Sequence, residues 1–208
     1  MNSKVWHAEA VPAAVTETMG RLAGQEPLEG FYLAGGTALA LHYGHRISAD
    51  LDFCKESFSA ESVLAQLQLL QTLSVIAMAQ QTLHLNFSDT KVSLIAYPYP
   101  LLFPLANFRG ISVADPRDIG CMKLAAVGGR GCKRDFIDLY VLAMEYGLSG
   151  LLDLFRSKFS RIDYNILHIL KSLTYFEDAE KEPMPNMLAR LSWEEVKAFF
   201  VKTVPGLV

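Results

Sequence analysis

Short apolar or alternating runs fill the first half of the chain, and apolar residues at helical spacing fill the second. Alternation with period two is typical of strands, and recurrence every three to four residues is typical of helices. In the first half this pattern predicts a helix within residues 1–30 that ends near Gly24, and another from Ser59 to about Gln71. It also predicts strands at residues 31–34, 48–53, 73–79, 81–87, 91–97 and 111–113.

From residue 115 onward the pattern is helical throughout. Pro116 suits the first turn of a helix, and Ser192 with Glu195 forms the spacing of a capping box. The proline-containing segments 97–108 and 177–185 are predicted to be irregular. The chain therefore divides into a mixed-sheet α/β (α+β) part, residues 1–114, and an all-helical part, residues 115–208. Within the latter the pattern predicts helices at 116–127, 133–146, 149–158, 163–173 and 192–203.

Composition narrows the functional classes. Of 208 residues, 51% are hydrophobic and 20% are charged, which is enough apolar material for a core. The net charge of −3 argues against a generally basic nucleic-acid coat protein. No apolar run reaches the length of a membrane span, and the first residues lack a signal-peptide layout. Three cysteines without CxxC spacing are typical of a reduced chain, so we expect a cytoplasmic protein without a membrane partner.

The candidate chemistry lies between Phe31 and Phe53. Gly35 and Gly36 follow a buried strand, and Thr37 is a suitable N-cap for the next helix. Asp50 and Asp52, two apart on a predicted strand, would share one face. Carboxylates hold hard cations such as Mg²⁺ or Mn²⁺, and glycines let backbone N–H groups approach phosphate. Each feature alone is more often a turn or a solvated face, so the argument rests on their combination.

The run LAGGTALALHYGHRISADLDF resembles the nucleotidyltransferase superfamily, and more specifically the AbiEii/AbiGii-type toxins of bacterial abortive-infection and toxin–antitoxin systems. The resemblance covers roughly residues 28–146. It implies a Mg²⁺-dependent enzyme that transfers a nucleoside monophosphate from an NTP to an acceptor. It also implies tRNA or another RNA as a possible acceptor, and a cognate antitoxin as partner.

The resemblance assigns roles to individual residues. Asp50 and Asp52 would hold the metals, and Gly35, Gly36 and Thr37 would bind the triphosphate. The motif from Arg130 to Tyr140 is similar to the family's closing motif, with Asp135 catalytic or orienting and Asp138 bracing Arg130 or the fold. Lys123 would face a phosphate rather than extend along the surface to solvent. The predicted catalytic set is Asp50, Asp52, Lys123 and Asp135, and the nucleotide-binding set adds Arg46 and Arg130.

One departure keeps alternatives open. Superfamily members carry a third carboxylate on a later strand, where this chain has Ser93, and Asp89 lies only in the preceding turn. A catalytically weakened, nucleotide-binding regulatory protein is therefore one alternative. A nucleotidyltransferase acting on a small molecule such as an aminoglycoside is another. The aromatic residues Tyr97, Tyr99, Phe103 and Phe108 either stack a base or belong to the core.

Overall fold

A computed structural model of the protein describes residues 5–70, 73–162 and 164–207. The chain forms two compact units. Unit 1 comprises Met1–Tyr99 and Pro104–Ala114, and unit 2 comprises Pro100–Phe103 and Asp115–Val208. In the part of the chain that the structure describes, no helix combines the length and apolar character needed to cross a bilayer.

Among the described residues, unit 1 is built on a mixed sheet of seven strands, and the alternating pattern predicts the mixed sheet and six of its strands. The strand order is β3-β4-β5-β2-β1-β7-β6, and the pairs β2–β5 and β1–β7 are parallel. The segment 97–108 was predicted to be irregular, but it contains strand β6. The three residues of β6 form a strand because they pair with β7 across a turn at Arg109 and Gly110. The strands are β1 Tyr32–Ala34, β2 Leu51–Lys55, β3 Leu73–Ala79, β4 Thr82–Phe87, β5 Thr90–Ala96, β6 Ala106–Phe108 and β7 Ile111–Val113.

The described part of unit 1 contains three α-helices: α1 Ala13–Leu22, α2 Gly35–Tyr43 and α3 Ala60–Leu70. The N-terminal segment is not one helix, because Pro12 precedes α1 and short 3₁₀ turns lie on either side of it. The predicted end of α3 at Gln71 lies outside the described residues. The core between helices and sheet is apolar, with Leu33, Leu83 and Leu94 fully buried.

Unit 2 is helical, as predicted. The short α8 occupies part of the segment predicted to be a loop, and its Ala179 is buried. The capping box of Ser192 and Glu195 is present at the start of α9. The predicted helix start at residue 163 lies outside the described residues. The helices are α4 Pro116–Gly129, α5 Lys133–Tyr146, α6 Leu148–Lys158, α7 Ile166–Ser172, α8 Glu177–Glu180 and α9 Trp193–Thr203.

A buried ion pair explains why residues 100–103 belong to unit 2. Lys158 Nζ lies 2.7 Å from Asp118 Oδ1, and both side chains are fully buried. Asp118 also accepts hydrogen bonds from the backbone N–H groups of Leu102 and Phe103, and Lys158 donates to the Pro100 carbonyl. Backbone polar groups of a segment rich in proline are thereby satisfied inside the unit.

Candidate functional site

The turn from β1 into α2 forms without the capping residue that the sequence suggests. Helix α2 begins at Gly35, its N-cap is Ala34, and Thr37 already lies inside the helix. The prediction of Thr37 as N-cap is therefore wrong. Gly35 has φ +65°, a left-handed conformation that glycine adopts without strain, so the chain can turn directly from strand to helix.

Gly35 also makes room for a carboxylate. A Cβ atom at this position would lie 2.8 Å from Asp52 Oδ2. The Asp52 carboxylate thus lies against the first turn of α2, where backbone N–H groups and the helix dipole create positive potential. The glycine and the aspartate of the sequence motif are brought together as its spacing suggests.

Thr37 fixes the loop that carries Asp50. Its side chain is 1% exposed, and its hydroxyl is 2.9 Å from Ser48 Oγ and hydrogen-bonds to the Asp50 carbonyl oxygen. The hydroxyl thus has partners within the protein, and its observed contacts position Asp50.

Asp50 and Asp52 differ in their backbone setting. Strand β2 begins at Leu51, so Asp50 precedes it and the predicted strand 48–53 is shifted toward the C-terminus. Leu51 and Phe53 are 0% and 1% exposed, which confirms that they point into the core. Asp50 and Asp52 are both half-buried.

Arg46 follows α2 in the chain, and its guanidinium reaches back to the first turn of that helix. It is 3% exposed, and its Nη2 lies 2.5 Å from where a Cβ of Gly36 would be. The neighbouring His45 is also buried. His42 has a packing role, since its ring stacks on Trp6 at 4.9 Å and its Nε2 lies 2.8 Å from the Ala114 carbonyl oxygen.

A cross-strand row extends from Asp52 to a histidine that the sequence analysis missed. Asp52 is opposite Ser93 on β5, and Ser93 is opposite His84 on β4, so the three side chains share one face of the sheet. Ser93 is 4% exposed, and its Oγ is 3.0 Å from His84 Nδ1. Asp89 lies in the turn before β5, with φ +63°, four residues before Ser93. Alternation within β4 identifies the face of His84, but only the pairing register reveals its neighbours.

Unit 2 contains a buried cluster of charged residues. Lys123 Nζ lies 2.8 Å from Asp135 Oδ1 and 2.6 Å from Asp138 Oδ2. Arg130, whose side chain is 67% exposed, donates from Nε to Asp135 Oδ2 at 2.9 Å. Lys123 is thus not a solvent-extended surface lysine. Asp138, expected to brace Arg130 or the fold, pairs with Lys123, and Asp135 is one carboxylate partner of Arg130.

The cluster retains its charges. Burial alone lowers the pKa of Lys123, but the adjacent Asp138 and Asp135 carboxylates outweigh it, so the pKa is raised. Burial likewise acts to raise the pKa of Asp135, yet Lys123 and Arg130 hold it below its ordinary value. Both groups are therefore ionised at neutral pH. A buried cation shared by two carboxylates fixes all three side chains in position.

The aromatic residues do not form a single platform. Tyr97 and Tyr99 meet edge to face at 4.7 Å in unit 1. Phe108 is 5% exposed and packs on Trp6. In unit 2 the guanidinium of Arg117 lies 3.5 Å from the centre of the Phe103 ring. Phe108 is therefore a core residue, whereas Tyr97, Tyr99 and Phe103 are half-buried and keep some exposed surface.

The donor set of unit 1 fits Mg²⁺ or Mn²⁺ bound with a substrate. Asp50 and Asp52 supply hard carboxylate oxygens, and the space beside Asp52 would be filled by any side chain at Gly35. Among the described residues no three His, Cys, Asp or Glu side chains are grouped as metal ligands. Mg²⁺ commonly binds one or two carboxylates together with substrate phosphates and water, rather than a complete protein cage. Burial raises the pKa of the Cys121 thiol to about 12 and also raises the pKa of Cys132, which disfavours the thiolate form of both residues.

Comparisons with known proteins give a family match and a relative of high coverage. Residues 19–206 match the family model described as nucleotidyl transferase AbiEii toxin, type IV toxin–antitoxin system. The protein aq_aa25 of Aquifex aeolicus is 40% identical over 181 residues, covering 84% of this chain and 86% of that protein.

Solved structures share the fold at low sequence identity. MenT4, a nucleotidyltransferase toxin from Mycobacterium tuberculosis, is 18% identical with a TM-score of 0.54, over 97% of this chain and 88% of that one. JHP933 from Helicobacter pylori has the same identity and TM-score over 93% and 90%. ANT(2'')-Ia, solved in complex with adenylyl-2''-tobramycin, is 14% identical with a TM-score of 0.51, over 72% and 99%.

Proposed function

Because this chain belongs to the AbiEii family of nucleotidyltransferase toxins, we propose that it transfers a nucleoside monophosphate from an NTP to an RNA acceptor, using Asp50 and Asp52 to bind divalent metal. The observation that carries the proposal is the position of the Asp52 carboxylate against Gly35 at the start of α2. Triphosphate and metal are bound together in such reactions, so a carboxylate beside a helix N-terminus suits both.

Each residue of the unit 1 site has a part in this proposal. The backbone N–H groups of Gly35 and Gly36 bind phosphate oxygens, and the guanidinium of Arg46 adds positive charge at the same turn. Thr37 positions Asp50 through its hydrogen bond to the Asp50 carbonyl. Asp50 and Asp52 would hold Mg²⁺ or Mn²⁺, and the cation would supply positive charge to offset the negative charge of the triphosphate.

In unit 2, the charged cluster is proposed to contact the nucleotide and to orient the reacting groups. Lys123 Nζ already has two carboxylate partners, Asp135 and Asp138, so the proposal leaves it one further N–H with which to meet a phosphate. Arg130 is largely exposed and suits a mobile phosphate contact. Asp135, held by both cations, is the proposed orienting or catalytic carboxylate.

The proposed biological context is a bacterial toxin acting in the cytoplasm as part of an abortive-infection system. NTPs and tRNA are available there, and a cognate antitoxin is the expected protein partner. Ser93, opposite Asp52 where a third carboxylate was expected, favours a second candidate. In that candidate the protein binds nucleotide without transferring it.

The direct test measures transfer from each labelled NTP, with Mg²⁺ or Mn²⁺, onto total tRNA, onto an aminoglycoside and onto the protein itself. Wild type is compared with Asp52→Asn, and with Asp153→Asn as a matched control at an exposed surface position. We expect label on RNA with wild type and the control, and at least about a hundredfold less with Asp52→Asn.

If only the aminoglycoside is labelled, the acceptor is a small molecule and not RNA. Nucleotide binding by calorimetry without transfer to any acceptor would favour the regulatory alternative. Equal transfer by Asp52→Asn and wild type would contradict the assigned site.

A further inference from the structure

One face of strands β2, β5 and β4 is polar. Asp52, Ser93 and His84 lie side by side across it, with Ser93 in the middle. Asn86 and Lys91, the next opposed pair along β4 and β5, lie on the same face and are exposed. The opposite face of these strands packs apolar, buried side chains. The polar face is therefore the side of the sheet on which a polar acceptor can lie next to Asp52.

The His84 ring is held by one of its two nitrogen atoms. Its Nδ1 lies 3.0 Å from the Oγ of Ser93, which is itself 4% exposed. In the described part of the chain this is the one hydrogen bond of the ring, and the residue is half-buried, so Nε2 is left for a bound molecule. When Nδ1–H donates to Ser93, the lone pair lies on Nε2, which can then accept a hydrogen bond.

The distance between His84 and Asp52 suits two groups that act on one substrate. Neighbouring strands are about 4.8 Å apart, so the backbones of these two residues are separated by about 10 Å. Both side chains rise from the same face, and the contact with Ser93 holds the imidazole toward β5, the strand that lies next to β2. A phosphate and the hydroxyl that attacks it can be bound between them.

The other four histidines of the chain are engaged elsewhere. His42 and His168 each have Nε2 within 2.8 Å of a backbone carbonyl oxygen. His45 is 3% exposed, and His7 is paired with a glutamate. His84 is therefore the histidine that combines an available ring nitrogen with a place beside the Asp52 row.

We propose that His84 is the general base of the transfer reaction, accepting the proton of the acceptor hydroxyl beside the position where the third carboxylate is missing. This inference rests on the proposed function and identifies the acceptor side of the same site. As the acceptor oxygen forms a bond to the α-phosphorus of the NTP, its proton passes to His84 Nε2. The bond from the α-phosphorus to the bridging oxygen breaks, and pyrophosphate leaves with that electron pair.

The order of the residues across the sheet agrees with this step. Gly35, which follows β1 and is proposed to bind the triphosphate, lies on one side of Asp52. Ser93 and His84 lie on the other side. The attacking and leaving oxygens are roughly in line in phosphoryl transfer, so the acceptor approaches from the side away from the pyrophosphate. Histidine is the side chain that most often serves as general base.

The test combines single-turnover transfer from labelled NTP to total tRNA with calorimetry of NTP binding. His84→Asn is the main variant, because its amide can keep the contact with Ser93 but has no counterpart of Nε2. Thr82→Val is the matched control on the same face of β4. We expect His84→Asn to lower the transfer rate by at least about a hundredfold with NTP affinity within about twofold of wild type, and the control to change neither.

Two further variants separate proton transfer from a structural role, and a circular-dichroism melt verifies that each variant folds. His84→Gln places an amide near the position of Nε2, and it should stay as slow as His84→Asn because an amide does not take up the proton. In His84→Ala, added imidazole should restore part of the transfer rate, whereas Asp52→Asn should not respond. Wild-type activity of His84→Gln would overturn the assignment of a base.

The remaining outcomes distinguish this inference from the proposed function. Wild-type transfer that His84→Asn leaves unchanged overturns the role of His84 alone. NTP affinity that falls in step with the transfer rate also overturns it, because His84 would then serve the nucleotide and not the acceptor. An equal loss in Thr82→Val would make the effect a general one of this face. Absence of transfer by wild type to every acceptor overturns the proposed function, and the role of His84 with it.

Discussion

Lys123 Nζ lies 2.6 Å from Asp138 Oδ2, and the two side chains are only 8% and 0% exposed. The pair joins the middle of α4 to the second turn of α5. Asp138 thereby secures the lysine, and the same lysine contacts Asp135. Asp138 therefore has a structural role, and Asp135, three residues before it, has the proposed catalytic role.

Replacing Asp138 should mainly reduce stability. Asp138→Ala removes one partner of a buried ion pair, so we expect the free energy of unfolding to fall by about 3 kcal/mol. Urea unfolding of the full chain measures this change. Asp153→Ala, at an exposed position in unit 2, should stay within about 0.5 kcal/mol of wild type. An equally small effect of Asp138→Ala would show that the pair contributes little.

The cluster predicts a specific dependence of stability on pH. The pKa of Asp135 is held below its ordinary value of 3.8, so its contribution is present above that pH and is lost as the pH falls through the folded-state pKa. In Lys123→Met the buried carboxyls lose their cation and are favoured in the protonated form, so acid relieves part of the penalty. The stability difference between wild type and Lys123→Met should therefore be largest near neutral pH and shrink toward pH 4.

Urea unfolding at several pH values measures this difference. Arg130→Gln is the comparison, because Arg130 is largely exposed and solvent screens its pairing with Asp135. We expect it to change stability by less than about 1 kcal/mol at neutral pH. A difference for Lys123→Met that grows as the pH falls would contradict the assigned pairing.

Gly35 and Gly36 should differ in their tolerance of alanine. Gly35→Ala would impose φ +65° on a residue with a Cβ and bring that Cβ to 2.8 Å from Asp52 Oδ2. The left-handed conformation alone costs roughly 1–2 kcal/mol, and displacing Asp52 should abolish most transfer activity. Gly36→Ala has ordinary helical geometry, but its Cβ would lie 2.5 Å from Arg46 Nη2 and 3.2 Å from Ser48 Oγ. It should lose less stability than Gly35→Ala, because it displaces side-chain ends without straining the backbone.

The measurements are a thermal melt and the transfer assay for both glycine variants. Loss of activity with retained stability in Gly36→Ala would indicate that Arg46 acts on the nucleotide. Equal stability of Gly35→Ala and wild type would contradict the strain argument.

Thr37 should act through Asp50 rather than as a helix cap. Thr37→Val deletes the hydroxyl bonded to Ser48 and to the Asp50 carbonyl, and should lower stability by about 1 kcal/mol. Transfer activity should fall further than this loss of stability explains, because the loop bearing Asp50 is released. Thr37→Ser keeps the hydroxyl and should retain most activity in the same assay. If the valine and serine variants are equally active, the hydroxyl has no positioning role.

Much of the fold follows from local pattern. Alternation and helical spacing locate most strands and helices, because each depends on residues two to four positions apart. Two predicted helix starts are wrong because a neighbouring residue sets the boundary instead. Pro12 separates α1 from the preceding turn, and Gly35 starts α2 before Thr37. Three-residue β6 has too few positions for its pattern to be recognised, and β7 defines it by pairing.

The sequence by itself determined the chemistry available to this protein: two glycines and two aspartates within 18 residues, and Lys123 followed by the Arg130–Tyr140 motif. Only the tertiary structure decided which groups meet. The parallel register of β2 with β5 placed Ser93 beside Asp52 and His84 beyond it. Packing of α4 against α5 gave Lys123 two carboxylates, and α6 brought Lys158 to Asp118, 40 residues away. Such contacts depend on burial and strand register over long sequence separations, and no local periodicity encodes them.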